Sequence, residues 1–381
     1  MIITFGGWYQ RTTLHLTEVY EYFMTGKSRL NLSEESLTAH FKKLNLKQVT
    51  RELGNLEYVH AFTNDGIEIR YYEDGLYVFQ IESTDIKKSG DTLKKYYEES
   101  FKPAIEYIFS LGAPTPKILS NIKSTHPIVV SISKKDQKID ISQYGKVYSQ
   151  NSSKEMSVYK TEEYIFIIPN AKRRTSDFVE TQIFFREFKD QLHKYLNIHR
   201  KIWEEIAVIK EKDSIRGKEV IIYRAKLESY KKTIDLINYR INQMQSYAKT
   251  RASISKSLDL EKSLIEIYQY RFEDLFNTLA YIKEIWAMTA NYVNSAISVL
   301  NEISNKASMS GIRSIQVLAS IGVLAGIINY LKTDTTPKLT SIGAVYLVAL
   351  LASALLIDFG IKLFFKHKKY KINITELTKD I

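Results

Sequence analysis

The chain has 381 residues, with 54 Lys and Arg against 43 Asp and Glu, for a formal net charge of +11. It contains no Cys, which excludes a disulfide scaffold, a thiolate metal centre and a thiol nucleophile. The basic excess admits nucleic acid, anionic lipid or an anionic small ligand as partner, and only its distribution along the chain can choose among them.

In chain order, the first residues carry neither the basic flank nor the apolar core of a signal peptide, so the N-terminal part is expected to stay unexported. Helical patterning covers Leu14–Phe23 and Thr92–Leu111. Runs rich in β-branched and aromatic residues, at 56–62, 67–72, 76–81, 127–132 and 164–168, read as strands. The first three are separated by Asn64-Asp65-Gly66 and Glu73-Asp74-Gly75, which is turn chemistry. Five of the 6 Pro fall before residue 170 and the sixth is Pro337. The stretch between them permits long helices, because a helix interior rejects Pro at a cost of ~3 kcal/mol. Ser176 and Asp177 can cap the first of these, the region from Asp213 to Gly217 suggests a turn, and Arg251–Ser257 suggests a second. From about Leu258 one helix is expected to continue without a break, its apolar face including Leu264, Phe272, Leu275, Leu279, Ile282, Trp286, Val293, Ile297 and Leu300.

The mean hydropathy of −0.23 hides two uncharged runs, Ser314–Leu331 and Leu339–Ile357. At ~1.5 Å per residue each spans ~27–29 Å, close to a bilayer core of ~30 Å. They predict a membrane hairpin, with spans at about 312–331 and 339–363. Lys366, Lys368, Lys369 and Lys371 follow the second run; the positive-inside rule then places both termini in the cytoplasm, with the protein in the inner membrane. The expected division is an α+β sensor domain at 1–172, long helices at 173–310 and the hairpin with its basic tail at 311–381.

One seam on the last helix is periodic. Asn291, Asn294, Ser298, Asn301, Asn305 and Ser308 continue on the same beat into Ile312, Ile315, Ala319, Gly322, Gly326 and Asn329. The period is close to 3.5 residues, that of helices supercoiling about an axis. One reading is a pore lining, with isoleucine rings as a hydrophobic gate. The other is a solvated helix face, with Gly322 and Gly326 as close-packing residues.

This layout resembles the CorA family of membrane ion channels. Gly326-Ile327-Ile328-Asn329 is close to the family's Gly-Met-Asn motif with one residue added, Pro337-Lys338-Leu339 stands where the family's loop often has Pro-Glu-Leu, and the lysine tail matches its basic ring. The resemblance implies a funnel-shaped homopentamer in a lipid bilayer. The altered filter and the Lys338 substitution point toward a divergent branch associated with type III CRISPR systems, an antiviral effector. That branch implies control by a nucleotide second messenger, such as an S-adenosylmethionine–AMP conjugate or a cyclic oligoadenylate. The alternatives are a Mg²⁺ or Co²⁺ transporter with a degraded filter, and a membrane-anchored coiled-coil scaffold without a pore.

For the ligand, Lys172-Arg173-Arg174 follows a predicted strand and precedes a long helix. Arg173 and Arg174 could bind a phosphate there with the helix N-terminus; a solvated basic turn is the alternative. The remaining basic residues are scattered, so no nucleic-acid groove is expected. Gly26-Lys27-Ser28 lacks the upstream glycine of a phosphate loop. The stalk carboxylates Glu204, Glu205, Glu211 and Asp213 could sense divalent cations or simply form a solvated helix tip. No catalytic constellation is present, and no enzyme is expected.

Overall fold

A computed structural model describes residues 1–9, 15–109, 126–132, 139–170, 175–210, 212 and 214–331; beyond these it describes 345, 348, 352, 355, 356, 359, 360, 363 and 367–371. The side chains of 306–315 and of many residues from 317 onward lie outside the description.

Nine strands form one sheet: β1 (Ile2–Trp8), β2 (Leu46–Leu53), β3 (Glu57–Thr63), β4 (Glu68–Tyr72), β5 (Leu76–Glu82), β6 (Ile128–Ser131), β7 (Ser149–Ser152), β8 (Met156–Lys160) and β9 (Tyr164–Pro169). Their spatial order is β2-β3-β4-β5-β1-β6-β9-β8-β7. Among the described residues only the β6–β9 pair is parallel. The five strands expected from sequence are present within a residue or two. The two turns between β3, β4 and β5 place Gly66 and Gly75 at φ 80° and 89°, the left-handed region that glycine adopts without cost.

One face of the sheet packs on α1 (Leu16–Thr25), α2 (Glu34–Leu44), α3 (Ile86–Tyr96) and α4 (Lys102–Phe109). Ile3, Phe5, Val59, Ala61, Ile69, Tyr71, Tyr77 and Phe79 point into that core, against Val19, Tyr22, Phe23, Leu93, Phe101 and Ile105. A π-helical turn, Tyr97–Phe101, joins α3 to α4. Gly26 caps α1 in the left-handed conformation, which is what the rejected phosphate-loop glycine does here.

The long helices are α5 (Thr175–Lys210), α6 (Gly217–Ser257), α7 (Glu261–Tyr268) and α8 (Phe272–Leu331). Two expectations for them are corrected. No turn interrupts Arg251–Ser257, which stays helical to the end of α6. The helix expected from Leu258 is broken: α7 ends at Gln269 with φ 58°, whose amide hydrogen-bonds to Ile265 O while that of Tyr270 reaches Leu264 O. Leu264, Phe272, Leu275, Leu279, Ile282, Trp286, Val293 and Leu300 are buried as their spacing predicts.

The membrane hairpin is also corrected. Among the described residues no helix is long and apolar enough to cross a membrane, and with it go the CorA-like funnel, the ion-channel reading and the inner-membrane location. The first run carries Ser314, Gln316, Ser320 and Asn329 among its apolar residues, Ser320 turns its hydroxyl back onto Gln316 O at 2.8 Å, and most of its other side chains lie outside the description. The second run lies mostly outside the described residues. Part of the expected basic tail is a strand, β11 (Lys369–Lys371), paired antiparallel with β10 (Ser214–Arg216).

The chain forms two units. The first comprises 1–198 and 236–285, and the second 199–235 and 286–381.

Candidate ligand site and its ionic network

The second face of the sheet in the first unit is where charge is buried. On β3 and β4, Tyr58, His60, Glu68, Arg70 and Tyr72 alternate away from the apolar core. Tyr58 donates to Glu52 Oε2 at 2.6 Å, and His60 lies between Glu52 (2.6 Å) and Glu68 (3.1 Å). The hydrogen bonds from Tyr58 and then His60 hold the Glu52 carboxyl below the usual range. Burial and the Glu52 contact push the Tyr58 phenol up to about 12.

The ladder continues into α5. Arg70 Nη1 meets Glu180 Oε1 at 2.6 Å, and Tyr72 donates to Glu180 Oε2 at 2.6 Å. One helical turn earlier, Ser176 accepts from Arg70 at 3.2 Å. Arg251 of α6 makes a bidentate pair with Asp74, at 2.6 and 3.1 Å; the two side chains are 5% and 1% exposed. Asp74 sits in the β4–β5 turn, where its carbonyl also accepts from Trp8 Nε1 at 2.7 Å. The Arg251 guanidinium lies 4.9 Å from the Tyr72 ring centre and 5.4 Å from that of Phe184. Burial opposes the Arg251 charge, but the Asp74 carboxylate outweighs it and the guanidinium is held more firmly protonated than usual.

A third contact lies at β1. Arg186 donates from Nε to Glu187 at 2.8 Å and from Nη2 to Gly6 O at 3.2 Å, and His126 Nδ1 lies 2.9 Å from the same Glu187 oxygen. Burial raises the Glu187 carboxyl, yet Arg186 and His126 more than offset this and hold it low.

Four rings stack from α5, the end of α7 and the residue just past its cap. Phe178 stacks on Tyr268 at 5.7 Å, Tyr268 on Tyr270 at 5.1 Å, and Tyr270 on Phe185 at 4.1 Å. Lys160 of β8 sits 4.4 Å from the Tyr268 ring centre, and burial lowers its pKa.

The residues singled out from sequence are placed as follows. Arg173 and Arg174 lie outside the described residues; the buried cations that the structure does place in ionic contacts, Arg70, Arg186 and Arg251, are ones that sequence reasoning missed. On α8, Asn291, Asn294, Ser298 and Asn305 are exposed and Asn301 is half-buried. Ala319 and Gly326 are exposed, Gly322 is half-buried, and nothing described lies within 4 Å of a Cβ added to either glycine. The side chains of Ser308, Ile312, Ile315 and Asn329 are outside the description. Of the stalk carboxylates, Glu205 pairs with Lys226 and accepts from Tyr230, Glu204 is exposed, and Glu211 and Asp213 are not described. Among the described residues no group of His, Asp and Glu is placed to hold a metal ion.

No family model matches the chain, and no curated protein is significantly similar to it. The resemblance to the CorA family therefore gains no support from these comparisons.

Proposed function

We propose that this chain is a sensor. Its α+β body binds an anionic small molecule, read as a nucleotide second messenger, and the bound state is passed on through α5 and α6. The observation that carries this reading is the set of buried ionic contacts on those two helices: Glu180 to Arg70, Arg186 to Gly6 O, and Arg251 to Asp74. A buried ion pair adds little stability over an apolar replacement of the same shape. Two such pairs and one guanidinium–carbonyl hydrogen bond, from one sheet to two helices, suit a device whose arrangement must be specific and responsive to charge.

Full-length protein titrated calorimetrically with adenosine nucleotides, cyclic oligoadenylates and an S-adenosylmethionine–AMP conjugate tests the reading. Saturable binding by one of them supports it; the absence of heat and of any thermal stabilisation across the panel sinks it. The proposal does not extend to a membrane pore. It does retain a homo-oligomer, because Val323, Leu355, Leu356 and Phe359 are exposed in the single chain, and each large apolar side chain gains ~1.5–3 kcal/mol on burial.

A further inference from the structure

Glu68 stands between two basic side chains of the ladder and hydrogen-bonds to only one. Its Oε1 lies 3.1 Å from His60 Nε2 and 3.5 Å from Arg70 Nε; the second distance is too long for a good hydrogen bond. His60 and Arg70 are directly opposed in the β3–β4 ladder. Arg70 Nε is buried and makes no hydrogen bond among the described residues, in a side chain that is 13% exposed. The same guanidinium reaches α5 through Nη1, which meets Glu180 Oε1 at 2.6 Å and Ser176 Oγ at 3.2 Å. An unmade hydrogen bond on a buried cation is costly, so something holds Glu68 away from it.

That something is a proton on His60. His60 Nδ1 lies 2.6 Å from Glu52 Oε1, so both ring nitrogens face a carboxylate oxygen. A neutral imidazole has one N–H, and only the imidazolium has the two that these contacts need. The other groups on this face keep their charge states near neutral pH. On β2, Glu52 also accepts from Tyr58 at 2.6 Å and Thr50 at 3.1 Å, and the bonds from Tyr58 and His60 hold its carboxyl low. The Tyr58 phenol of β3, pushed up to about 12, stays protonated. Tyr72 of β4 donates to Glu180 of α5, and Arg251 of α6 faces Tyr72 while tied to Asp74. Imidazole is the group type whose charge ordinarily changes between about pH 5 and 8. When the ring loses one proton, the remaining N–H belongs on Nδ1, at the shorter contact, because Glu52 is fixed by two other donors. Nε2 then turns a lone pair toward Glu68 Oε1. The Glu68 side chain is 31% exposed and free to shift, and closing on Arg70 Nε takes only about 0.6 Å.

We propose that His60, Glu68 and Arg70 form a proton-operated switch on the second sheet face. With His60 protonated, Glu68 bonds to the imidazolium and Arg70 is committed to Glu180 and Ser176 of α5. With His60 neutral, Glu68 moves to Arg70 Nε, and Arg70 divides its charge between Glu68 and Glu180. The hold of the sheet on α5 thereby depends on pH. The switch goes beyond the ligand reading and does not depend on it, since the proton acts on the chain with no ligand bound.

The test follows the full chain by NMR from about pH 5 to about pH 8, with nitrogen-15 in arginine and carbon-13 in histidine. The Arg70 Nε–H signal, assigned with Arg70→Lys, is expected to move downfield as pH rises, on the same curve as the His60 ring, because a hydrogen bond to Glu68 forms. In Glu68→Gln the His60 ring should still titrate while the Arg70 signal loses most of its pH response. His60→Gln, which has no such proton to lose, should abolish that response as well. Glu68→Gln preserves side-chain shape at a partly exposed position, so it carries the test even where His60→Gln fails to fold. A His60 ring that keeps one protonation state over the whole range overturns the switch. So does an Arg70 Nε–H signal that stays still or moves upfield while His60 titrates, or one that keeps most of its response in Glu68→Gln.

Discussion

At the scale of single residues, the Asp74–Arg251 pair concentrates the energetics of the second sheet face. Arg251→Met leaves the Asp74 carboxylate buried without its cation and is expected to cost about 3–5 kcal/mol in urea unfolding; a loss below about 1 kcal/mol would show that water reaches the pair. Gly75 sits in the same turn at φ 89°, and a Cβ there would lie 1.9 Å from Tyr9 O. Gly75→Ala should therefore destabilise by at least about 2 kcal/mol, read by the same unfolding curve. Acid should act through Glu52 and Glu187. Both carboxyls are held below their ordinary value in the fold, so their contribution is complete above the unfolded carboxylate pKa of ~4.3 and is lost as pH falls through the lowered folded value. Unfolding midpoints measured from neutral pH down to about 3 should fall along that limb, and Glu187→Gln should flatten it.

At the scale of elements, α7 ends with a non-glycine residue in the left-handed region, Gln269. Gln269→Gly relieves a strain of ~1 kcal/mol and should raise the melting temperature without altering the far-ultraviolet spectrum. This break was invisible in the sequence, because the residues on either side of it keep an apolar face and no Gly or Pro marks the turn. The strands β3, β4 and β5 were legible for the opposite reason: β-branched and aromatic runs separated by Asp-Gly turns whose glycines do adopt positive φ. β1 and β2 were not read as strands. Gly6 and Gly7 dilute β1, and β2 alternates Leu46-Lys47-Gln48-Val49-Thr50-Arg51-Glu52-Leu53 with charge on an edge that has a neighbour on one side only. The candidate site was less legible still. Arg70, Asp74, Glu180 and Arg251 come from a strand, a turn and two helices far apart in sequence, and no spacing rule joins them; the Lys-Arg-Arg run drew notice because it is contiguous.

At the scale of the whole molecule, the uncharged runs show how composition can mislead. A stretch without Lys, Arg, Asp or Glu satisfies a charge rule, yet among the described residues no helix meets the combined demands of length and apolarity. The exposed side chains Val345, Val348, Leu355, Leu356, Phe359 and Leu363 still need cover. Light scattering of the purified full chain is expected to give a mass of several protomers, and a strictly monomeric mass at micromolar concentration would remove the oligomer from the proposal.

The ladder between β10 and β11 joins residues 214–216 to residues 369–371, with one further bond from the Gly217 amide to Lys368 O at 3.2 Å. A ladder this short is marginal on its own, and it closes a very long loop against chain entropy. Its persistence therefore depends on the order of the chain between its two strands. The amides of Ile215 and Tyr370 make it a built-in gauge: in hydrogen-exchange mass spectrometry they should lose protection before the core strands do, reporting the loosening of the second unit while the nine-stranded sheet is still intact.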